Sequence, residues 1–239
     1  MPQNKPLKGR IALVTGASRG IGAAAAKELA AAGAHVILLA RNKTTLETIY
    51  DEITKNGGTA TIMPFDLTKL DELEALGPTI LERFGKLDIW VANAGILGTL
   101  TPISHSKMKD WRDTWTINVL ANVQMIRTLE PLLKASDAGR AIFVGSDIGI
   151  TPNAFSGQYG VSKAAVMMLA NTWAQETKHT NLKINTIIPG AVDTDMLATV
   201  FPGGYQGENL RQPSDIAPLF VELASPTCTQ HGESVRPKD

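Results

Sequence analysis

Short apolar runs alternate with longer amphipathic segments along most of the chain. The runs are rich in β-branched residues and have the length of buried strands, whereas the segments between them have helical spacing. This alternation is typical of a parallel sheet covered by helices on both faces. Six strands are predicted, at Ile11–Val14, His35–Leu39, Ala60–Pro64, Leu87–Val91, Arg140–Val144 and Lys183–Ile188.

One helix is predicted between each pair of successive strands. No break in composition and no fixed-period repeat divides the chain. We therefore expect an α/β fold, a single Rossmann-type domain over residues 1–239 with a doubly wound parallel sheet of six to seven strands. The predicted helices are Ile21–Ala32, Lys43–Lys55, Leu70–Phe84, Met108–Lys134 and Gln158–His179.

The stretch Asp193–Gln212 departs from this pattern. It contains Pro202 and a group of glycines beside apolar residues such as Met196 and Phe201. We expect a loop with short helical pieces, acting as a lid over the active site. Together with Ile96–Lys107, it is expected to select the substrate.

A glycine-rich turn joins the first predicted strand to the first predicted helix. Gly16, Gly20 and Gly22 leave three residues after the first glycine and one after the second, unlike the usual Rossmann spacing. Glycines let the backbone approach a pyrophosphate, and the N–H groups that begin the next helix attract its charge. The turn predicts a dinucleotide site, although the glycines could instead serve only to pack the start of a helix.

Ser146, Tyr159 and Lys163 form the candidate catalytic group. Tyr159 and Lys163 are four residues apart and share one helix face, and Ser146 follows the fifth strand at the carboxyl edge of the sheet. A free phenol has a pKa of about 10, which a nearby ammonium lowers. Lys163 is therefore expected to activate Tyr159 as a general acid and base. Each residue alone could be structural, as a helix cap, a half-buried phenol or a solvated amine.

The order and spacing of these motifs resemble those of the short-chain dehydrogenase/reductase family. The similarity covers the chain from about Lys8 to Thr194, and it extends to a bacterial subgroup of uncharacterised oxidoreductases. The family's last strand and Gly-Gly ending are reduced to His231–Pro237, so we expect a short seventh strand. The matching motifs are Thr15-Gly16-x-x-x-Gly20-x-Gly22, Ala92-Asn93-Ala94-Gly95 (with Ala92 in place of an asparagine), Ser146, Tyr159-x-x-x-Lys163 and Pro189-Gly190-x-x-x-Thr194.

The resemblance implies hydride transfer between a nicotinamide cofactor and a small carbonyl or alcohol substrate. Tyr159 would be the general acid and base, and Ser146 would hydrogen-bond the substrate oxygen. Asn118 would distort its helix and hold a water that links Lys163 to solvent; it could instead be an exposed polar residue. The implied catalytic residues are Asn118, Ser146, Tyr159 and Lys163.

The resemblance also implies a set of cofactor-binding residues. Two of them have structural alternatives, since Asp66 could cap a turn and Asn93 could tie neighbouring strands together. The implied set is Gly16, Ser18, Arg19, Gly20, Ile21, Gly22, Arg41, Asp66, Leu67, Asn93, Ala94, Gly95, Tyr159, Lys163, Pro189, Gly190, Val192 and Thr194.

The end of the second strand favours a phosphorylated cofactor. An acidic residue there would bond both ribose hydroxyls, but the chain has Arg41, a planar cation suited to a 2′-phosphate. Arg19 can supply a second cation, a pairing that in the family looks like the NADP type. Both arginines could instead be solvated surface residues. We expect NADP(H) to be preferred over NAD(H).

Composition removes several other classes of function. Lys plus Arg and Asp plus Glu both total 23, so no net field attracts nucleic acid or an anionic membrane. Cys228 is the only cysteine and the four histidines lack ligand spacing, so we expect no disulfide and no metal. No apolar segment approaches the roughly 20 residues that cross a bilayer, and none follows Met1–Arg10 as a signal peptide. A cytoplasmic location is expected.

Family analogy suggests a homodimer or homotetramer. Two other functions are possible on such a fold. A nucleotide-sensing or scaffold protein would have lost part of the catalytic group, whereas Ser146, Tyr159 and Lys163 are all present here. A nucleotide-sugar epimerase or dehydratase would need a larger carboxyl-terminal domain than the 45 residues after Thr194.

Overall fold

A computed structural model describes residues 5–238. Within that range seven strands form one sheet, and every pairing in it is parallel. The strands are β1 (Ile11–Thr15), β2 (His35–Ala40), β3 (Thr59–Pro64), β4 (Ile89–Ala92), β5 (Arg140–Val144), β6 (Lys183–Ile187) and β7 (Ser234–Val235).

Helices cover both faces of this sheet. They are α1 (Gly20–Ala31), α2 (Lys43–Lys55), α3 (Leu76–Phe84), α4 (Met108–Trp115), α5 (Ala121–Ala135), α6 (Gly157–Thr177), α7 (Asp195–Val200) and α8 (Pro213–Ala224). Successive strand residues point to opposite faces of the sheet. Val14 and Val36 lie in the core under α1, α2 and α8, while Leu13 and Ile37 lie in the core under α3, α5 and α6.

The strand order is β3-β2-β1-β4-β5-β6-β7, which reverses direction between β1 and β4. Ligands of open α/β sheets bind at such a switch point, outside the carboxyl ends of the strands. The predicted doubly wound parallel sheet is confirmed. The short seventh strand is also confirmed, because only Ser234 and Val235 pair with β6.

The helix predicted over Met108–Lys134 is present, and it is distorted at Asn118 as the family resemblance implied. A π-helical turn, Thr116–Leu120, separates α4 from α5. Its Asn118 side chain bonds the backbone of Ile96 instead of its own helix. The bonding partner is 22 residues away, so helical periodicity alone could not show the distortion.

The prediction of one α-helix over Leu70–Phe84 is wrong at its start. A 3₁₀-helix at Glu72–Ala75 precedes α3. Pro78 lacks a backbone N–H and therefore suits the first turn of a helix rather than its middle. Gly77 lies against α5, where a Cβ would come within 2.2 Å of the Thr128 carbonyl oxygen.

No helix between residues 5 and 238 is long and apolar enough to cross a membrane. Over the same residues, no group of three or more His, Cys, Asp or Glu side chains is arranged to hold a metal ion.

Candidate active site

The glycine turn follows β1 and leads directly into α1. Gly16 and Gly20 adopt φ of +66° and +54°, a region that side chains disfavour. A Cβ at Gly22 would lie 2.3 Å from the Gly16 carbonyl oxygen and 2.4 Å from Asn93 Nδ2, so no side chain fits there. The first turn of α1 has neither a side-chain cap nor an acidic residue. Its N–H groups therefore suit an anionic group such as a pyrophosphate.

Thr15 and Asn93 join the ends of β1 and β4 beneath this turn. The Thr15 hydroxyl donates to the Val91 carbonyl at 3.2 Å and accepts from the Asn93 and Ala94 N–H groups at 3.1 Å each. Asn93 Nδ2 donates to the Thr15 carbonyl at 2.9 Å and contacts that of Gly16 at 3.3 Å. Asn93 thus ties neighbouring strands together, and Thr15, to which the sequence analysis assigned no role, is its partner.

Arg41 is exposed just past the end of β2. Asp66 lies close enough for the Arg41 charge to act on it. The pKa of Asp66 is lowered mainly by the hydrogen bond from the Thr68 N–H, and Arg41 adds to this effect. The Asp66 carboxylate also accepts from the Thr68 hydroxyl at 2.9 Å, so Asp66 caps the turn that contains the buried Leu67.

The start of the segment 193–212 lies against the glycine turn. A Cβ at Gly20 would be 3.3 Å from Thr194 Cγ2, and Arg19 Nη1 lies 2.9 Å from Asp195 Oδ2 at the start of α7. Both charged side chains are exposed, so the ion pair itself contributes little to stability. Thr194 caps α7 by accepting from the Leu197 N–H at 3.3 Å.

The two ends of the segment 193–212 lie side by side. The Asp193 N–H donates to the Arg211 carbonyl at 2.8 Å, and the Arg211 N–H donates to the Ala191 carbonyl at 3.0 Å. Pro189 and Gly190 lead into it from β6, and Val192 is buried. The expected short helical piece is present as α7.

Ser146, Tyr159 and Lys163 converge at the carboxyl end of β5. Tyr159 lies in the first turn of α6 and Lys163 one turn further, and both are buried. Lys163 Nζ donates to the Val144 carbonyl at 2.7 Å and lies 5.7 Å from the centroid of the Tyr159 ring. Ser146 caps the 3₁₀-helix Asp147–Gly149 and also hydrogen-bonds Tyr159.

Burial sets the ionisation of both groups. It lowers the pKa of Lys163 to about 8 and raises the pKa of Tyr159, while the hydrogen bond from Ser146 acts to lower the latter. The expected lowering of the Tyr159 pKa is therefore not what this structure shows. Lys163 directs its ammonium at a backbone carbonyl, and removal of the phenol from water outweighs the single hydrogen bond that favours its charged form.

Asn118 connects the π-helical turn to α6. Its Oδ1 accepts from the Ile96 N–H at 2.8 Å, and its Nδ2 donates to the Ile96 carbonyl and to Ser162 Oγ, both at 2.9 Å. The Ser162 hydroxyl donates in turn to the Tyr159 carbonyl at 2.8 Å. Asn118 is buried, so the exposed alternative for it is wrong.

Sequence reasoning missed two residues of this network. Ser162 is fully buried within the Tyr-x-x-x-Lys motif, but nothing in its spacing marks it as a partner of Asn118. Asn122 is buried and donates from Nδ2 to the Asn118 carbonyl at 2.7 Å, which satisfies a carbonyl of the irregular turn. The sequence did offer one signal for Asn122, because it places a second asparagine one helical turn after Asn118.

The model of the family described as short chain dehydrogenase matches residues 10–203. The chain belongs to the short-chain dehydrogenase family. The match spans the glycine turn, the Ser146, Tyr159 and Lys163 group and the first part of the segment 193–212, so this short-chain dehydrogenase is an oxidoreductase by family.

Similar proteins agree with this family. The chain is 36% identical over 225 residues to the uncharacterized oxidoreductase YciK of Escherichia coli, covering 93% of this chain and 88% of that protein. It is 34% identical over 232 residues to the 3-oxoacyl-[acyl-carrier-protein] reductase FabG of Vibrio cholerae, covering 92% and 91%. A short-chain dehydrogenase structure from Shigella flexneri, in complex with NADP, has a TM-score of 0.93 and 34% identity, covering 99% of this chain and all of the other.

Proposed function

We propose that this short-chain dehydrogenase interconverts a carbonyl and an alcohol with NADP(H), using Tyr159 as general acid and base. The observation that carries the proposal is the meeting of Ser146, Tyr159 and Lys163 at the sheet edge that also holds the glycine turn. A cofactor seated on that turn is bound at the same edge as the tyrosine.

The cofactor fits the residues at the switch point. The unblocked start of α1 and the glycines suit the pyrophosphate, and Arg19 and Arg41 suit a 2′-phosphate. The structures of similar proteins from Shigella flexneri and Escherichia coli contain NADP and NADPH, which supports the preference for the phosphorylated form. When bound, the nicotinamide supplies or accepts the hydride.

The chain's own residues handle the proton. In the reductive direction the Tyr159 hydroxyl donates its proton to the substrate oxygen, and the Ser146 hydroxyl hydrogen-bonds the same oxygen as charge develops on it. Lys163 is held by the Val144 carbonyl, and its pKa of about 8 keeps it mostly protonated at pH 7. Its charge lies 5.7 Å from the ring centroid and favours the phenolate left behind, although burial has the larger effect on the Tyr159 pKa. The phenolate is then reprotonated from solvent.

The cofactor preference is tested by replacing Arg41. In fluorescence titrations Arg41→Ala is expected to weaken NADPH binding about 10- to 100-fold, because charge-assisted bonds contribute about 1.5–3 kcal/mol. NADH binding should change less than about twofold, since NADH lacks the phosphate.

Arg83→Ala is the matched control. Arg83 is an exposed arginine on α3, which covers the face of the sheet opposite to α1. An equal loss of NADPH and NADH affinity in Arg41→Ala would show that Arg41 does not select the phosphate. If the wild type bound neither nucleotide, the cofactor assignment itself would be wrong.

We also infer that copies of this chain associate through α5 and α6. Both helices carry exposed apolar side chains, of which Val123, Val161 and Met168 are examples. Met168 is 65% exposed, although it lies in the middle of α6. An apolar surface of this kind suits an interface between copies.

Met168→Glu is expected to shift the wild-type oligomer towards monomer in sedimentation velocity experiments, because a charge would be buried without a partner. Leu81→Glu, on the exposed side of α3, is the control and should leave the sedimentation coefficient unchanged. A wild-type monomer, or a Met168→Glu oligomer as stable as the wild type, would exclude this interface.

A further inference from the structure

The loop between Ser146 and Tyr159 contains a strained aromatic residue. Phe155 adopts φ of +67°, and Asn209 is the other non-glycine residue with positive φ in residues 5–238. Asparagine tolerates this region, whereas a bulky side chain there is an outlier. Glycine would relieve the strain at position 155, so the phenyl ring is present at a cost in folding free energy.

Backbone contacts hold Phe155 in this conformation without using its ring. The Phe155 carbonyl accepts from the Thr101 N–H at 3.0 Å, and Thr101 also forms a parallel bridge with the buried Ser156. The Gln158 side chain accepts from the Thr99 N–H at 3.1 Å. The loop after β5 is thereby fastened to the loop after β4.

The ring does not compensate for the strain by packing into the core, because Phe155 is 58% exposed. Two further large apolar residues on the same pair of loops are exposed, Ile103 by 65% and Ile150 by 55%. We call these three residues the apolar rim. Backbone strain that is retained without a packing benefit is concentrated at functional sites.

The loops that carry the apolar rim lie at the same sheet edge as the catalytic group. They leave the carboxyl ends of β4 and β5, and Lys163 bonds the Val144 carbonyl at the end of β5. Along the chain, Phe155 lies four residues before Tyr159, and Ile150 lies four residues after Ser146.

The composition of these loops restricts what they can recognise. Residues 93–104 and 148–162 contain no Asp, Glu, Lys or Arg, and Asp147, next to Ser146, is paired with Arg236 at 2.6 Å. These residues therefore offer no unpaired charged side chain to an ionic part of a substrate, and their exposed surface is suited to hydrocarbon.

We propose that Phe155 is a specificity-determining residue, which together with Ile103 and Ile150 binds the apolar substituent of the carbonyl substrate. The preferred substrates are then ketones or aldehydes with a hydrocarbon chain or ring of several carbons. This inference rests on the proposed function and adds the substrate class to it.

The test compares NADPH-dependent reduction of 2-alkanones from 2-butanone to 2-decanone by the wild type, Phe155→Gly and Phe155→Leu. Wild-type kcat/KM should rise with chain length. In Phe155→Gly, kcat/KM should fall about tenfold on 2-decanone and less than about twofold on 2-butanone. The longer chain loses more because burial of apolar surface strengthens binding in proportion to area. Phe155→Leu should retain most of the preference.

Two controls separate specificity from structure. Leu81→Ala removes an exposed apolar side chain on α3 and should leave the chain-length dependence unchanged. Phe155→Gly should be at least as heat-stable as the wild type, because glycine suits the positive φ.

An equal loss of activity on every ketone in Phe155→Gly would overturn the proposal. A change in sedimentation with a uniform loss of activity would also overturn it, because the ring would then serve contact between copies. Saturation-transfer NMR of 2-decanone on the NADPH-loaded protein tests binding by the apolar rim separately from the proposed reduction. Ketone binding that is lost in Phe155→Gly supports the rim even if no ketone is reduced, in which case only the proposed reaction fails.

Discussion

Tyr159→Phe is expected to lower kcat for carbonyl reduction by about 10²- to 10⁴-fold, the usual contribution of a general acid. The substitution removes only the hydroxyl that donates the proton. The ring stays in place in the first turn of α6, with Lys163 Nζ 5.7 Å from its centroid. NADPH affinity, followed by fluorescence, should therefore change less than about twofold.

Tyr50→Phe is the matched control, because Tyr50 is an exposed tyrosine on α2. It should keep wild-type kcat. If Tyr159→Phe retained kcat, Tyr159 would not be the acid. If it lost NADPH binding together with kcat, the substitution would have disturbed the structure, and the role of the hydroxyl would have to be judged from pH profiles of the wild type.

Lys163→Met is expected to inactivate the enzyme and to make it more stable at pH 7. Lys163 is buried, and burial lowers its pKa from 10.5 to about 8. That gap corresponds to about 3 kcal/mol of penalty on the charged form. Loss of the bond to the Val144 carbonyl would offset about 1 kcal/mol. A net gain of about 1–3 kcal/mol in the free energy of unfolding is expected.

The sign of this effect gives a second test. Between pH 8 and 10.5 the unfolded chain holds a proton on Lys163 that the folded chain has lost, so this group makes the wild type more stable as pH rises. Urea unfolding at pH 7 and pH 10 should show the advantage of Lys163→Met shrinking at the higher pH. Lys55→Met, on the exposed last turn of α2, should show no such change. If the difference in free energy of unfolding between Lys163→Met and the wild type stayed constant with pH, burial of the Lys163 charge would not be its cause.

Local sequence patterns were sufficient to predict the sheet. The strands alternate apolar residues on two buried faces, and the predicted strands match the observed ones to within one or two residues at each end. Such agreement is possible because a strand's hydrophobic period is a property of neighbouring residues. The glycine turn was visible for a similar reason, since its spacing and its place between a strand and a helix are local.

The candidate site was predictable as a set of residues but not as a network. The four-residue spacing of Tyr159 and Lys163 defines a shared helix face whatever surrounds it. The link from Asn118 through Ser162 to Tyr159 joins residues more than 40 positions apart, and helical periodicity carries no trace of it. The same long-range contact accompanies the π-helical turn within the helix predicted over Met108–Lys134.

The sequence by itself determined the fold class, the family and the candidate residues, because periodicity, glycine spacing and motif order are all encoded between near neighbours. Only the tertiary structure decided the ionisation of the site, the pairing of Arg19 with Asp195 and the exposure of Phe155 on a strained backbone. These properties depend on burial and on contacts between distant segments, and both exist only once the chain has folded.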